Sequence, residues 1–278
     1  MLRNIIDDAK SKNPDVNILL SIEEIAASVM STITLDTIAA LRDFIHRWGK
    51  DVRLLVYVRK PEDYYLSMTQ EKLKRSGGVI PPHEFRTNFS EIIQIYEDVF
   101  GTNATVRPFE SGQWRNGDLL ADFLDQIKDI ADVDPKILYT DVLHSNETLS
   151  GETMFALDLM RRFPDNMAQS SAYTFMQSER LWRKFRDIAE KAGYTRKPRL
   201  FESVAATVAA VNQDDSRALF ERHGIEFYKC SKFSPGEPLP ESERLSDVES
   251  LVPVNRDQAL RIISVLCAGD NAFRAKKT

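Results

Sequence analysis

The sequence predicts an α/β protein: an incomplete parallel sheet of about three strands with crossover helices, followed by a mainly helical C-terminal half. Two observations predict it. In the first half, short aliphatic and β-branched runs alternate with stretches of helical periodicity, as in a sheet buried on both faces by its connecting helices. Beyond about residue 117 the apolar spacing is helical almost throughout. Residues 1–130 are therefore expected to form the α/β core, and 131–278 a mainly helical part of the same domain or a cap on it.

Three strands are proposed, Asn17-Ile-Leu-Leu-Ser21, Arg53-Leu-Leu-Val-Tyr-Val58 and Ala104-Thr-Val-Arg-Pro-Phe109, each bounded by polar or turn residues. Between the first two, residues 34–48 place Ile38, Leu41, Ile45 and Trp48 on one helical face, with Gly49 at the end. After the second strand, Pro61 suits a first helical turn, the pattern runs through Leu73, and Gly77-Gly78 ends it. Residues 88–100 carry Ile92, Ile93, Tyr96 and Phe100 and stop at Gly101. Further helices are expected near 117–130, 150–163, 168–192, 200–211, 214–223 and 255–267, while the proline-rich, acidic stretch Ser231 to Pro253 reads as an irregular surface loop.

Composition narrows the function. With 42% hydrophobic and 28% charged residues the chain is an ordinary globular one, and no run has the length of apolar sequence that spans a bilayer. Acidic Asp7 and Asp8 fall where a signal peptide would be apolar, so a cytoplasmic location is expected. Cys230 and Cys267 are too far apart for a paired-cysteine metal or redox motif, and buried free thiols are expected. His46, His83, His144 and His223 are scattered without a second ligand at helical or hairpin spacing, so no metal is expected. A net charge of −5 argues against general attraction to nucleic acid, and any anion site must be built from specific residues.

In an open parallel sheet, ligands sit beyond the carboxyl ends of the strands. Arg59 follows the second strand directly, where its planar fork suits phosphate oxygens, and Ser67 lies about two turns into the next helix, with a hydroxyl that could donate to the same phosphate. The alternative is that Arg59 pairs with Glu62 or Asp63 and Ser67 is an exposed helix residue.

The run from Leu54 to Gln70, a strand ending in Arg59 and a helix carrying Ser67, resembles the 3′-phosphate motif of the sulfotransferases, here a bacterial branch of the P-loop nucleoside triphosphate hydrolase superfamily. Further similarity lies in Leu19-Leu-Ser-Ile-Glu23, in Val106-Arg-Pro-Phe-Glu110 with Gly117-Asp-Leu-Leu-Ala-Asp-Phe123, in Asn146-Glu-Thr-Leu-Ser150, and more faintly from Val211 to Leu219. The resemblance implies that Arg59 and Ser67 bind the 3′-phosphate of 3′-phosphoadenosine-5′-phosphosulfate as co-substrate. It also implies transfer of the sulfuryl group to a carbohydrate hydroxyl, with a glycan as acceptor and no metal.

The sequence departs from that family at one decisive place. The strand and Gly-rich Lys-[Thr/Ser]-Gly-[Thr/Ser] loop that hold the 5′-phosphosulfate have no counterpart: Gly49-Lys50 follows a helix and Ser76-Gly-Gly78 lacks the lysine. The chain reads as one that begins after that loop, so little transfer activity is expected of it. By analogy the absent strand lies between the second and third proposed strands, and a gap there would expose apolar edges. Either the chain is a fragment or something else fills the gap. A non-catalytic nucleotide-binding or protein-interaction remnant of the fold is the alternative function. A P-loop kinase relative would need a Gly-x-x-x-x-Gly-Lys that the sequence does not contain.

Glu23, at the end of the first proposed strand, is the candidate base or acceptor-binding residue, with first-turn helix charge as the alternative. Lys72, Lys74 and Arg75 could attract an anion or form a solvated helix end. Tyr64 and Tyr65 could stack on a base or sugar, or pack in the core. Trp182 among Arg180, Arg183, Lys184 and Arg186 marks a basic amphipathic helix, which either meets a membrane surface or acidic partner or turns Trp182 and Phe185 inward.

Overall fold

The computed structural model describes residues 2–21, 35–49, 51–75, 77–131, 133, 148–162, 171–228, 237–240 and 245–268, with the backbone alone over 171–178. It is α/β and mainly helical, with a two-stranded parallel sheet. The described residues divide into two compact units, one drawn from Met1–Lys60, Thr87–Val142 and Gln213–Lys232, the other from Pro61–Arg86, Leu143–Asn212 and Phe233–Thr278.

The first unit holds the sheet. Strand β1 (Leu54–Val58) pairs in parallel with β2 (Ala104–Pro108), Leu54 opposite Ala104 and Val58 opposite Pro108. This corrects two expectations. The strands that should have flanked an absent one are hydrogen-bonded neighbours, so the ladder groups facing each other are satisfied and no gap is left between them. The expected first strand does not form: residues 17–21 pair with neither β1 nor β2, Leu19 is 66% exposed, and Asn17 donates instead to the Ile130 carbonyl at 2.8 Å. An aliphatic run becomes a strand only where a sheet edge receives it.

Around the sheet lie α1 (Leu2–Lys12), α2 (Leu35–Ile45), α4 (Phe89–Phe100), α5 (Leu119–Ile127) and α9 (Gln213–His223). Ile38 of α2 is buried and Trp48, just after it, donates to Asp7 of α1 at 2.6 Å. Gly101 ends α4 in the left-handed conformation, φ 65°, with its N–H on the Glu97 carbonyl, a geometry that glycine adopts without a Cβ penalty. The start of α4 is capped from a distance. Asn88 at its N-cap makes no side-chain cap bond, and the carboxylate of Asp215 on α9 accepts from the Phe89 and Ser90 N–H groups and from the hydroxyls of Thr87 and Ser90. A negative charge on the orphan donors of a helix start is favoured twice, by hydrogen bonds and by the helix dipole.

The second unit is helical: α3 (Pro61–Lys74), α6 (Gly151–Arg162), α7 (Ser171–Lys191), α8 (Glu202–Val211), α10 (Val248–Leu251) and α11 (Arg256–Ala268). Tyr65, Leu73, Met154, Leu157 and Phe185 form its core with the buried Trp182. Tyr65 is thus a core residue, its hydroxyl donating to the Ile80 carbonyl at 2.6 Å, and Trp182 and Phe185 face inward. Lys74 is not part of a solvated helix end: it is buried, pairs with Glu71 at 2.7 Å and lies 5.1 Å from the Trp182 ring. Arg161 caps the C-terminal end of α3, reaching the Gly77 carbonyl at 3.3 Å. Burial lowers its pKa to about 10.

Two further corrections follow. The end of the expected surface loop is core, because Val248, Leu251 and Val252 are fully buried and Asp247 caps α10 through the Ser250 N–H. A short apolar cluster after an acidic run inserts when it can be capped. Of the cysteines, Cys267 is a free but exposed thiol near the end of α11, whose polar face carries it, and Cys230 lies outside the described residues. Among the described residues no helix is long and apolar enough to cross a membrane.

Candidate functional site

The first unit presents its two parallel strands with the same polarity, so the residues leaving both strands share one edge of the sheet. Arg59 leaves β1 and Phe109 leaves β2, and the Phe109 N–H donates to the Val58 carbonyl at 2.6 Å, which extends the ladder one step beyond the strands. The Arg59 guanidinium lies over the Phe109 ring, 4.4 Å from its centroid. Trp114 meets Phe109 edge to face at 5.0 Å, and its indole N–H donates to the Pro108 carbonyl at 2.9 Å. The edge thus carries a half-buried arginine held on an aromatic pair.

Behind the edge, a buried ionic network ties β1, β2 and α5 together. Tyr57 and Arg107 are register partners, so their side chains leave the same face of the sheet. Both reach Asp122 of α5: the Tyr57 hydroxyl donates at 2.8 Å, and Arg107 donates through Nη2 at 2.6 Å and Nε at 3.2 Å. The Arg115 N–H adds a fourth bond at 3.0 Å. Burial alone would raise the Asp122 carboxyl, but the bonds from Arg107, Tyr57 and Arg115 outweigh it and hold the pKa below the ordinary carboxylate range. Burial, then the bond to Asp122, pushes the Tyr57 hydroxyl up, and the same bond raises Arg107. Asp118 starts α5 by accepting from the Ala121 N–H at 2.7 Å. This network ties the strands to α5.

Of the residues expected from the sequence, Arg59 stands at the predicted edge. Ser67 is half-buried on α3, in the second unit. Glu23 lies outside the described residues. Phe109 and Trp114 are not among the residues expected from the sequence, although Phe109 follows its strand as Arg59 follows the other, and that parallel is the signal that points to it. The segments Val106 to Glu110 and Gly117 to Phe123 are joined by the Arg107 to Asp122 ion pair.

At the opposite edge of the sheet, Ala104 begins β2 and donates its N–H to Glu97 at 2.8 Å, and Glu97 also pairs with Arg222 at 3.0 Å. With Asn103 and His223 these residues line a shallow cleft of about 340 Å³. Burial lowers the pKa of His223, Glu97 opposes the shift and Arg222 adds to it. Among the described residues no group of three or more histidine, cysteine or acidic side chains could hold a metal ion. Comparison with family models, with curated proteins and with solved structures finds no match to this chain.

Proposed function

We propose that the edge formed by Arg59 and Phe109 binds the 3′-phosphate of an adenine nucleotide, in a protein of sulfotransferase type. In a protein of that type the nucleotide is 3′-phosphoadenosine-5′-phosphosulfate and the acceptor a carbohydrate hydroxyl. The observation that carries the reading is the Arg59 guanidinium at the carboxyl edge of β1, stacked on Phe109 at the matching edge of β2. A cation seated over an aromatic face is held at the strand end, where a planar fork can meet phosphate oxygens. Ser67 as phosphate donor, and Glu23 as base or acceptor-binding residue, rest on the sequence reading alone.

A second reading, a non-catalytic nucleotide-binding or protein-interaction remnant, is favoured by the direct pairing of β1 with β2, since the strand of a phosphate loop would have to enter between them. Both readings are tested by titrating adenosine 3′,5′-bisphosphate into the chain by calorimetry. Binding is expected, and Arg59→Ala should weaken it by roughly 1.5 to 3 kcal/mol, the range of a charge-assisted hydrogen bond. Absence of binding, or binding indifferent to Arg59→Ala, would overturn the site. Donor-dependent sulfation by this chain would decide for the transferase, and bisphosphate binding without transfer for the remnant.

A further inference from the structure

Residues 180–199 hold eight basic residues, at 180, 183, 184, 186, 191, 196, 197 and 199, against acidic Asp187 and Glu190 alone. The stretch therefore carries +6 in a chain of net −5, and the remainder carries −11. The two acids are already engaged with Arg186, at 3.0 and 3.6 Å, and Arg183 pairs with Glu179 at 3.0 Å. Arg180, Lys184, Lys191, Arg196, Lys197 and Arg199 are exposed, and among the described residues none has a carboxylate within ion-pair distance. Concentrating unpaired like charge in one stretch of the chain costs self-repulsion, which an anionic partner relieves.

The arrangement indicates what that partner is. Arg180, Lys184 and Lys191 recur at helical spacing along α7, opposite the inward Trp182, Phe185 and Ala189. The other three lie on the segment that leaves α7 toward α8, which ends at Phe201, 39% exposed. Trp182 and Phe185 are buried, and Arg183 and Arg186 already lie 5.5 and 5.4 Å from the Trp182 ring, so neither offers the open stacking platform that single-stranded nucleic acid uses. A basic stretch of exposed arginines and lysines bordered by one exposed aromatic ring suits a charged bilayer interface, met from outside and without insertion of the helix.

We infer that this face of the second unit, from Arg180 through Arg199, docks the protein on membranes rich in anionic phospholipid. The site is separate from Arg59 and does not depend on the nucleotide reading. The test is co-sedimentation of the full chain with phosphatidylcholine vesicles, with and without phosphatidylserine. Binding is expected only with phosphatidylserine, and it should disappear as salt approaches about 1 M, where charges are screened beyond about 3 Å. The triple substitution Arg180→Gln, Lys184→Gln, Lys197→Gln should lower partitioning by about a hundredfold, each cation contributing about a factor of five. The three side chains are exposed, so an unchanged circular dichroism spectrum is expected of the variant. A matched triple in the other unit, Arg47→Gln, Lys128→Gln, Arg217→Gln, should lower it far less. No binding to phosphatidylserine vesicles, equal loss from both triples, or binding to a duplex oligonucleotide in place of vesicles would overturn the inference.

Discussion

Removing the Asp122 carboxylate should destabilise the sheet unit more than any surface change, and the size of the loss follows from its partners. The side chain is 2% exposed and accepts four bonds, two from Arg107, one from Tyr57 and one from the Arg115 N–H. Breaking a buried ion pair from one side costs about 3 to 5 kcal/mol, because the partner charge is stranded. Arg107 is 30% exposed and can recover part of its hydration, which brings Asp122→Ala to about 2 to 4 kcal/mol. Asp122→Asn keeps the volume and one acceptor oxygen and should cost about half as much. The assay is urea unfolding followed by the fluorescence of Trp48 and Trp114, which belong to the same unit. The folded pKa of Asp122 is depressed, so its stabilisation is full above the unfolded value of about 3.9 and is lost as pH falls through the lower folded value. The gap between wild type and Asp122→Asn should therefore close in acid below about pH 4. An Asp122→Ala cost under about 0.5 kcal/mol, the range of an ordinary surface change, would refute the assignment of this network as the lock between β1, β2 and α5.

Gly151→Ala should destabilise the helical unit by about 1 to 3 kcal/mol, since an added Cβ would stand 2.8 Å from the Pro253 carbonyl oxygen. That sign opposes the usual gain from alanine in a helix, so a raised Tm in thermal unfolding would exclude the clash. Acidification should also weaken the sheet unit through His223. Its folded pKa is lowered, so the unfolded chain takes up the proton first, and stability falls as pH drops below about 6.5 toward the folded value. His223→Gln should flatten that part of the pH profile of urea midpoints; an unchanged slope would show that His223 does not carry it.

The helices were legible because their punctuation is local. Pro61 opens α3, Gly101 closes α4, and the apolar spacing of α6, α8, α9 and α11 places each within a few residues of its observed span. The sheet was only partly legible. Residues 17–21 have the composition of a strand, but strand formation is decided by the neighbour that accepts the ladder, and composition does not name that neighbour. The insertion of Val248 to Val252 was hidden by the acidic, proline-rich sequence before it, which dominates a window average. Arg59 was legible because it follows a strand directly. Phe109 carried the same strand-end signal but no charge to mark it, and Trp114 had no such signal, since the ring acquires its role only when the two strand ends are brought together.

The pairing of β1 with β2 also bears on what Arg59 can do. Adjacent strands lie about 4.8 Å apart, and strands separated by a third lie about twice that distance apart. The 4.4 Å approach of the Arg59 guanidinium to the Phe109 ring is a product of direct adjacency. With a phosphate-loop strand between them, Phe109 would move out of reach, and the cation would be steadied by the loop and its ligand instead. In this chain the ring supplies part of that support, because the guanidinium rests 4.4 Å from its centroid. A sequence without a Gly-rich phosphate loop and an arginine held over Phe109 are therefore compatible. Phosphate recognition needs one well-held cation at the strand end, whereas sulfuryl transfer also needs groups that stabilise the leaving phosphate. On the proposed reading, bisphosphate binding at this edge is separable from sulfuryl transfer.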